Sequence, residues 1–321
     1  MLRAAVIGAR RQRQGIGEYV ARELGRSGCE VTAIVGTRPE TVAEAQAMLN
    51  ARYGLECRGY LSLDALLADE PVDIIAICSP AVCHLRHLQE ALAAGAHVLC
   101  EKPLWWPAEA LDPARVERRT AELVAGFADR RRRLATVTQW PFVLPVFYEL
   151  FPEAAAEPVE ALYLRLGPIG RGAEMVIDSG SHLLSMLHAL VGLGRIEGLS
   201  GRLDAAGEAL RLRFDYRHRQ GATRVELDLR HSPAPPRPAE IGLNGRSMSR
   251  YIELPAYRLY FEAAGRRIPI EDPLALTVRE FVRCVEEDED PLMGRYLVER
   301  LGELHHLVGF TRTLEATPGV A

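Results

Sequence analysis

Of the 39 basic residues in this 321-residue chain, 38 are arginine and one is lysine, Lys102 in "CEKPL". An amine can give up and recover a proton, whereas a guanidinium stays charged near neutral pH. A lone lysine among so many arginines is therefore a candidate for chemistry that arginine cannot perform. A second candidate pair stands in "EMVIDSGSHLLSMLHALVG": Asp178 and His182 are four apart and share one face of a helix, with Ser185 continuing the stripe. Imidazole titrates near neutral pH. Together, an imidazole base, an ammonium hydrogen-bonding the same oxygen and an orienting carboxylate could take a proton from a hydroxyl or return one to a carbonyl. The plainer alternative makes Asp178 the cap of a helix over 179–192 and His182 an interdomain histidine.

These residues need elements to position them. The first 140 residues alternate near-continuous apolar strands, such as "RAAVIG", "EVTAIVG", "VDIIAICSP" and "HVLCEKP", with amphipathic helices. That pattern predicts a doubly wound parallel sheet covered on both faces, with ligands at the carboxyl ends of its strands. In "AVIGARRQRQGIGEYVARELG", Gly8 ends the first strand and Gly15-Ile16-Gly17 opens the helix, across a turn longer than the usual G-x-G-x-x-G. Strand, glycine turn and helix amino terminus still suit a phosphate. Arg10, Arg11 and Arg13 in that turn either reach the phosphate or are exposed loop residues. After the second strand stand Gly36-Thr37-Arg38, with no carboxylate to grip ribose hydroxyls. Thr37 and Arg38 would instead welcome a 2′-phosphate, so NADP is preferred and NAD remains possible.

After "WPFVLP" the pattern changes to apolar–polar alternation in "VEALYLRL", "ALRLRFDYRH" and "TRVELDLRH", the mark of half-buried strands. Asn244-Gly245 signals a hairpin, and "AAGRRI" another turn. With helices expected at 179–192, 275–288 and 295–315, residues 143–321 read as an α+β domain on an open, mostly antiparallel sheet. Residues 1–142 read as a Rossmann-type dinucleotide-binding domain.

The stretch "DIIAICSPAVCHLRHLQEALAAGAHVLCEKPL", with "DSGSH" downstream, resembles the Gfo/Idh/MocA family of glucose–fructose oxidoreductase, inositol dehydrogenase and the rhizopine-catabolism protein. The matching positions are Ser79-Pro80, His84, Gly95, Val98 and Glu101-Lys102-Pro103. The resemblance implies that Ser79, Pro80 and His84 border the cofactor. It places Glu101 and Lys102 beside the nicotinamide ribose and the reacting carbon. The implied reaction is hydride transfer between nicotinamide and a sugar, polyol or related carbonyl compound, with Lys102 and His182 handling the proton and Asp178 orienting His182 or the substrate. An NADPH-dependent imine reductase and a non-catalytic dinucleotide-binding regulator are the alternatives; the retained E-K-P and histidine argue against the regulator. The resemblance also implies a homodimer or homotetramer through the open sheet. Two departures stand out. Ser185 replaces a frequent aspartate, and Trp105-Trp106 sit where relatives have small or polar residues. With Trp140, these tryptophans either line a cleft for a flat substrate or pack between domains.

Composition narrows the remainder. Apolar residues make up 48% of the chain, which excludes disorder, and a net charge of −4 gives no reason to expect nucleic acid. The runs "RRRR" at 130–133 and "EEDED" at 286–290 read as solvated surface. Neither a membrane-spanning run nor a signal segment is evident, so a cytoplasmic protein without a membrane partner is expected. Six cysteines occur without a C-x-x-C pair, and their spacing with His84, His87 and His97 fits no ligand pattern, so no metal is expected.

Overall fold

A computed structural model describes residues 1–10, 15–107 and 112–316. They form two units, one of Met1–Thr138 with Leu274–Val298, the other of Gln139–Pro273 with the chain from Glu299 onward. The first unit thus closes at 138 rather than 142, and it takes back a segment that sequence reading gave to the second. Specific contacts account for that return. The Arg133 guanidinium meets Asp288 at 2.7 Å and Asp290 at 2.6 Å, and Thr138 Oγ1 lies 3.0 Å from the Met293 sulfur. The two charge runs are therefore partly each other's partners, with Arg133 only 15% exposed, rather than separate solvated faces.

In the first unit β1 (Arg3–Ile7), β2 (Glu30–Val35), β3 (Arg58–Tyr60), β4 (Ile74–Ile77), β5 (His97–Cys100) and β6 (Leu134–Thr136) make one parallel sheet. Their order is β3-β2-β1-β4-β5-β6. The connections include α1 (Gly17–Arg26), α2 (Pro39–Tyr53), α3 (Leu63–Asp69), α4 (Ala81–Ala94) and α5 (Pro113–Asp129). Ile74–Ile77 of β4 are wholly buried, as the centre of a sheet covered on both faces requires. The strand order turns back between β1 and β4, so right-handed crossovers send helices to opposite faces and open a crevice there.

The second unit carries α6 (Leu144–Leu150), β7 (Ala161–Leu166), α7 (Ala173–Val191), β8 (Gly194–Leu203), β9 (Ala209–His218) and β10 (Gly221–Arg230). The sheet continues through β11 (Ala239–Leu243), β12 (Arg246–Glu253), β13 (Arg258–Ala263) and β14 (Arg266–Ile270). Helix α8 (Pro273–Glu286) then belongs to the first unit, and most of α9 (Leu297–Ala316) to the second. The strand order is β14-β13-β12-β11-β7-β10-β9-β8; β7 and β10 pair in parallel, the other neighbours antiparallel. Alternation sorts the faces: Leu210, Leu212, Phe214 and Tyr216 are buried, while Arg211, Arg213, Asp215 and Arg217 point the other way. The polar face is tied by ion pairs such as Arg165 to Asp228 and Glu240, both at 3.1 Å. α7 lies against β7 and β10. A buried network fixes it further: Tyr216 donates to Glu303 at 3.0 Å and accepts from the Gly194 amide at 2.9 Å, while His188 Nε2 lies 3.0 Å from Glu303. Among the described residues no helix is long and apolar enough to cross a membrane.

Candidate active site

The carboxyl ends of the first sheet extend as a continuous row. The amides of Gly8, Gly36, Cys78 and Glu101 donate to Val35, Tyr60, Ile7 and Ile77 at 2.7–3.0 Å, carrying the strand pairing one residue past each strand. Gly8, Gly36-Thr37, Cys78-Ser79 and Glu101-Lys102 thus stand side by side across the β1–β4 reversal. Two glycines shape the opening. Gly8 has φ +82°, and a Cβ there would meet the Cys78 carbonyl oxygen at 2.7 Å. A Cβ on Gly17 would run into the carbonyl oxygen of Gly8. The start of α1 therefore presses directly on the end of β1, the close approach that a pyrophosphate site needs, despite the longer turn.

Ile16 precedes α1 without a side-chain cap, leaving its first amides for an anion. One acid stands in that first turn, Glu18, but it is buried and held from α2 by Arg52 at 2.9 Å and the Tyr53 hydroxyl at 2.8 Å. Sequence reading missed this pairing, because partners more than thirty positions away leave no local signal. Arg10 lies 2.6 Å from Glu44 on the surface; Arg11 and Arg13 fall outside the described residues. Thr37 and Arg38 are exposed at the start of α2, where Arg38 is the N-cap residue.

His84, expected to border the cofactor, instead lies behind the row, 1% exposed. Its Nε2 is 2.6 Å from the Ser79 carbonyl and its Nδ1 3.0 Å from the Pro103 carbonyl, with the Cys100 sulfur at 3.4 Å. It braces the turn after β4 against the turn that carries Lys102. Burial lowers its pKa, against the pull of those carbonyls. His87 holds the same turn through Ser79 Oγ, 3.0 Å from its Nδ1, and burial pushes its pKa down to about 4, helped by Arg86 and His84. Ser79 is therefore fixed through both its carbonyl and its hydroxyl. Lys102 and Glu101 are half-buried. Trp105 is packed inside this unit, its indole N–H donating to Thr120 at 3.1 Å, and Trp106 is buried as well.

Lys102 belongs to the first unit, Asp178 and His182 to the second. Because α7 begins at Ala173, Asp178 lies inside the helix and is no cap. Ser185 is fully buried and its hydroxyl donates to the His182 carbonyl at 2.8 Å, so it serves its own helix. The His182 ring meets Trp140 edge-on, with centroids 6.2 Å apart at 81°. Arg250 of β12 approaches the same indole, its guanidinium carbon 5.3 Å from the ring centre. A hollow of about 720 Å³ opens on the polar face of the second sheet, beside Tyr163, Arg213 and Glu226; none of His182, Trp140 and Arg250 borders it. Among the described residues no group of three or more His, Cys, Asp or Glu side chains could hold a metal.

Residues 2–137 match the model of an oxidoreductase family, Gfo/Idh/MocA, with an NAD-binding Rossmann fold. The amino-terminal unit is a Gfo/Idh/MocA oxidoreductase domain. The chain is 32% identical over 139 residues to D-glucoside 3-dehydrogenase of Escherichia coli (strain K12), a match covering 43% of this chain and 37% of that protein. Solved structures share the fold of both units. UDP-N-acetylglucosamine 3-dehydrogenase from Acidithiobacillus ferrooxidans superposes with a TM-score of 0.70 at 21% identity, over 98% of each chain. A 3-ketoreductase from Actinomadura kijaniata, solved with NADP, gives 0.66 at 22% identity over 97% of each chain. The Gfo/Idh/MocA domain therefore accounts for the glycine row and E-K-P. The family description names NAD and one structural neighbour holds NADP, so likeness alone does not choose between them.

Proposed function

We propose that the protein is an NADP-dependent oxidoreductase that moves hydride between nicotinamide and a sugar, polyol or related carbonyl carbon. The observation that carries this reading is the chain's only lysine at the end of β5, in the E-K-P of a Gfo/Idh/MocA domain. The row fits a dinucleotide because a Cβ at Gly8 or Gly17 would fill its cradle. Gly8, Arg10 and Gly15-Ile16-Gly17 would hold the pyrophosphate, and Thr37 with Arg38 the 2′-phosphate. Ser79, Pro80, Glu101 and Lys102 would face the nicotinamide half, with His84 behind them. The bound nicotinamide accepts or supplies the hydride.

The chain's own residues manage the proton. His182 takes it from the substrate hydroxyl in oxidation and returns it in reduction, as a group with near-neutral pKa does best. Lys102 hydrogen-bonds the same oxygen and stabilises it as charge develops. Asp178, one turn before His182 on α7, orients the imidazole or the substrate. The reading extends to self-association through the second sheet, whose outer face alternates cations and anions, as in Arg213 with Glu226.

The test is a screen of polyols, sugars and sugar phosphates with both cofactors, repeated with Lys102→Arg. The variant should bind NADPH normally and lose about 10²–10⁴-fold in turnover, the range for a displaced acid–base group. Full activity would refute the proton role. Tighter binding of NADH than of NADPH would overturn the assignment of Thr37 and Arg38.

A further inference from the structure

The arginines on the outer face of the second sheet set a pattern. Arg165, Arg211, Arg213 and Arg230 lie on the outer face of the sheet and each meets a carboxylate within 4 Å. Arg250 differs. It projects from β12 on the same side as buried Met248, toward the apolar face that holds Leu162, Leu164 and Leu212. Among the described residues it has no ion pair, and its Nε is shut off from solvent without a hydrogen-bond partner. Its Nη2 donates to the Arg237 carbonyl at 2.8 Å, and its guanidinium carbon stands 5.3 Å from the centre of Trp140. The residue as a whole is half-buried rather than sealed.

Burying a charge without a counter-ion is unfavourable, and one peptide carbonyl with an indole face offsets only part of that. Asp272 and Tyr257 act on Arg250 at longer range, against Arg237, and none of them closes an ion pair with it. The guanidinium fork suits a planar or tetrahedral oxyanion. His182 packs edge-on against the same indole, with ring centroids 6.2 Å apart.

We propose that Arg250 is a specificity residue that binds an anionic group of the substrate, a carboxylate or a phosphate, while His182 serves the reacting hydroxyl. This rests on the oxidoreductase reading above and narrows its substrate class to acidic or phosphorylated sugars. A neutral sugar would leave the guanidinium without its partner.

The probes are D-glucose, D-glucuronate and D-glucose 6-phosphate, which share a ring and differ in charge; the last two separate carboxylate from phosphate. Calorimetric titration of the full chain should show at least one acidic probe binding about tenfold more tightly than glucose, a difference of about 1.4 kcal/mol. Arg250→Gln should bring that ratio to about one while leaving glucose affinity in place, and Arg250→Lys should keep part of it. NADPH titration of each variant checks that the molecule is folded; should the Gln variant fail that check, the Lys variant and the wild-type ratio decide. Equal binding of the three probes, no binding by either acidic probe, or an equal loss for charged and neutral probes in Arg250→Gln overturns the proposal. Nicotinamide reduction is followed separately. Acid-selective binding without turnover by any sugar would sink the oxidoreductase reading and leave the anion site. Turnover confined to neutral sugars would do the reverse.

Discussion

Replacing His84 with leucine tests whether this histidine holds the loop that carries Lys102. A neutral imidazole has one N–H, and His84 has two carbonyls against its ring. The shorter contact, 2.6 Å to the Ser79 carbonyl, takes the Nε2 proton, while the Cys100 thiol, 3.4 Å from Nδ1, donates to the Leu104 carbonyl at 3.4 Å. Leucine fills similar space but supplies no donor, so the Ser79 carbonyl is left buried and unpaired, at about 1–3 kcal/mol. Loss of the thiol contact and imperfect packing bring the expected destabilisation to about 2–4 kcal/mol, a drop of about 4–16 °C in Tm for a unit of this size. Thermal unfolding followed by circular dichroism reads the first effect. NADPH oxidation reads the second: freed from its brace, Lys102 should lose turnover by more than the stability loss explains, while NADPH still binds. A variant that melts within a degree of wild type and turns over normally would refute the bracing role.

Acid should loosen the first unit. Burial pushes both His87 and His97 down to about 4, and His97 Nδ1 accepts from the Arg133 amide at 2.9 Å. The unfolded chain therefore takes up these protons first, so their stabilisation is complete above about pH 6.5 and is lost as pH falls toward 4, by up to about 3 kcal/mol each. Unfolding midpoints across that range should fall steeply for wild type and less so for His97→Gln; parallel profiles would count against this origin. Gly17→Ala should weaken NADPH binding by about tenfold or more, because its Cβ has no room beside the Gly8 carbonyl. Unchanged affinity would disconnect that close approach from the cofactor. Arg52→Met should also weaken NADPH, by leaving the Glu18 carboxylate unbalanced in the first turn of α1, and adding Glu18→Gln should restore it. Failure of the double variant to recover would show that Arg52 acts otherwise.

The first unit was legible because its buried strands are short apolar runs ending in glycine or E-K-P, signals that need no distant partner. β9 and β10 were legible for a similar reason, since their alternation survives in isolation. β8 was not: Gly194–Leu203 is the edge strand and shows no buried–exposed alternation. The return of 274–298 to the first unit also escaped, since Arg133 finds Asp288 and Asp290 only after the chain has crossed another unit. At the site, Lys102, Asp178 and His182 stood out by type and spacing. The partners of Glu18 and the contacts of Trp140 with His182 and Arg250 did not, because they join residues far apart in sequence; nor did the brace of His84, whose second carbonyl lies nineteen positions on.

The two kinds of cation explain why one amine was so visible. Arg52, Arg133 and Arg165 each serve a carboxylate with a rigid fork, and in such places arginine is at least as good as lysine. A chain drifting toward arginine loses nothing there. At the end of β5 the proposed role differs: a compact ammonium on a flexible stem would approach the substrate oxygen and steady its charge as His182 moves the proton. A guanidinium is bulkier and too weak an acid to share in such a proton transfer. Arg250 shows the complementary preference, since anchoring an oxyanion asks for a fixed fork and no proton transfer. On the proposed reading, lysine stands where a proton moves, and arginine serves where charge only has to be held.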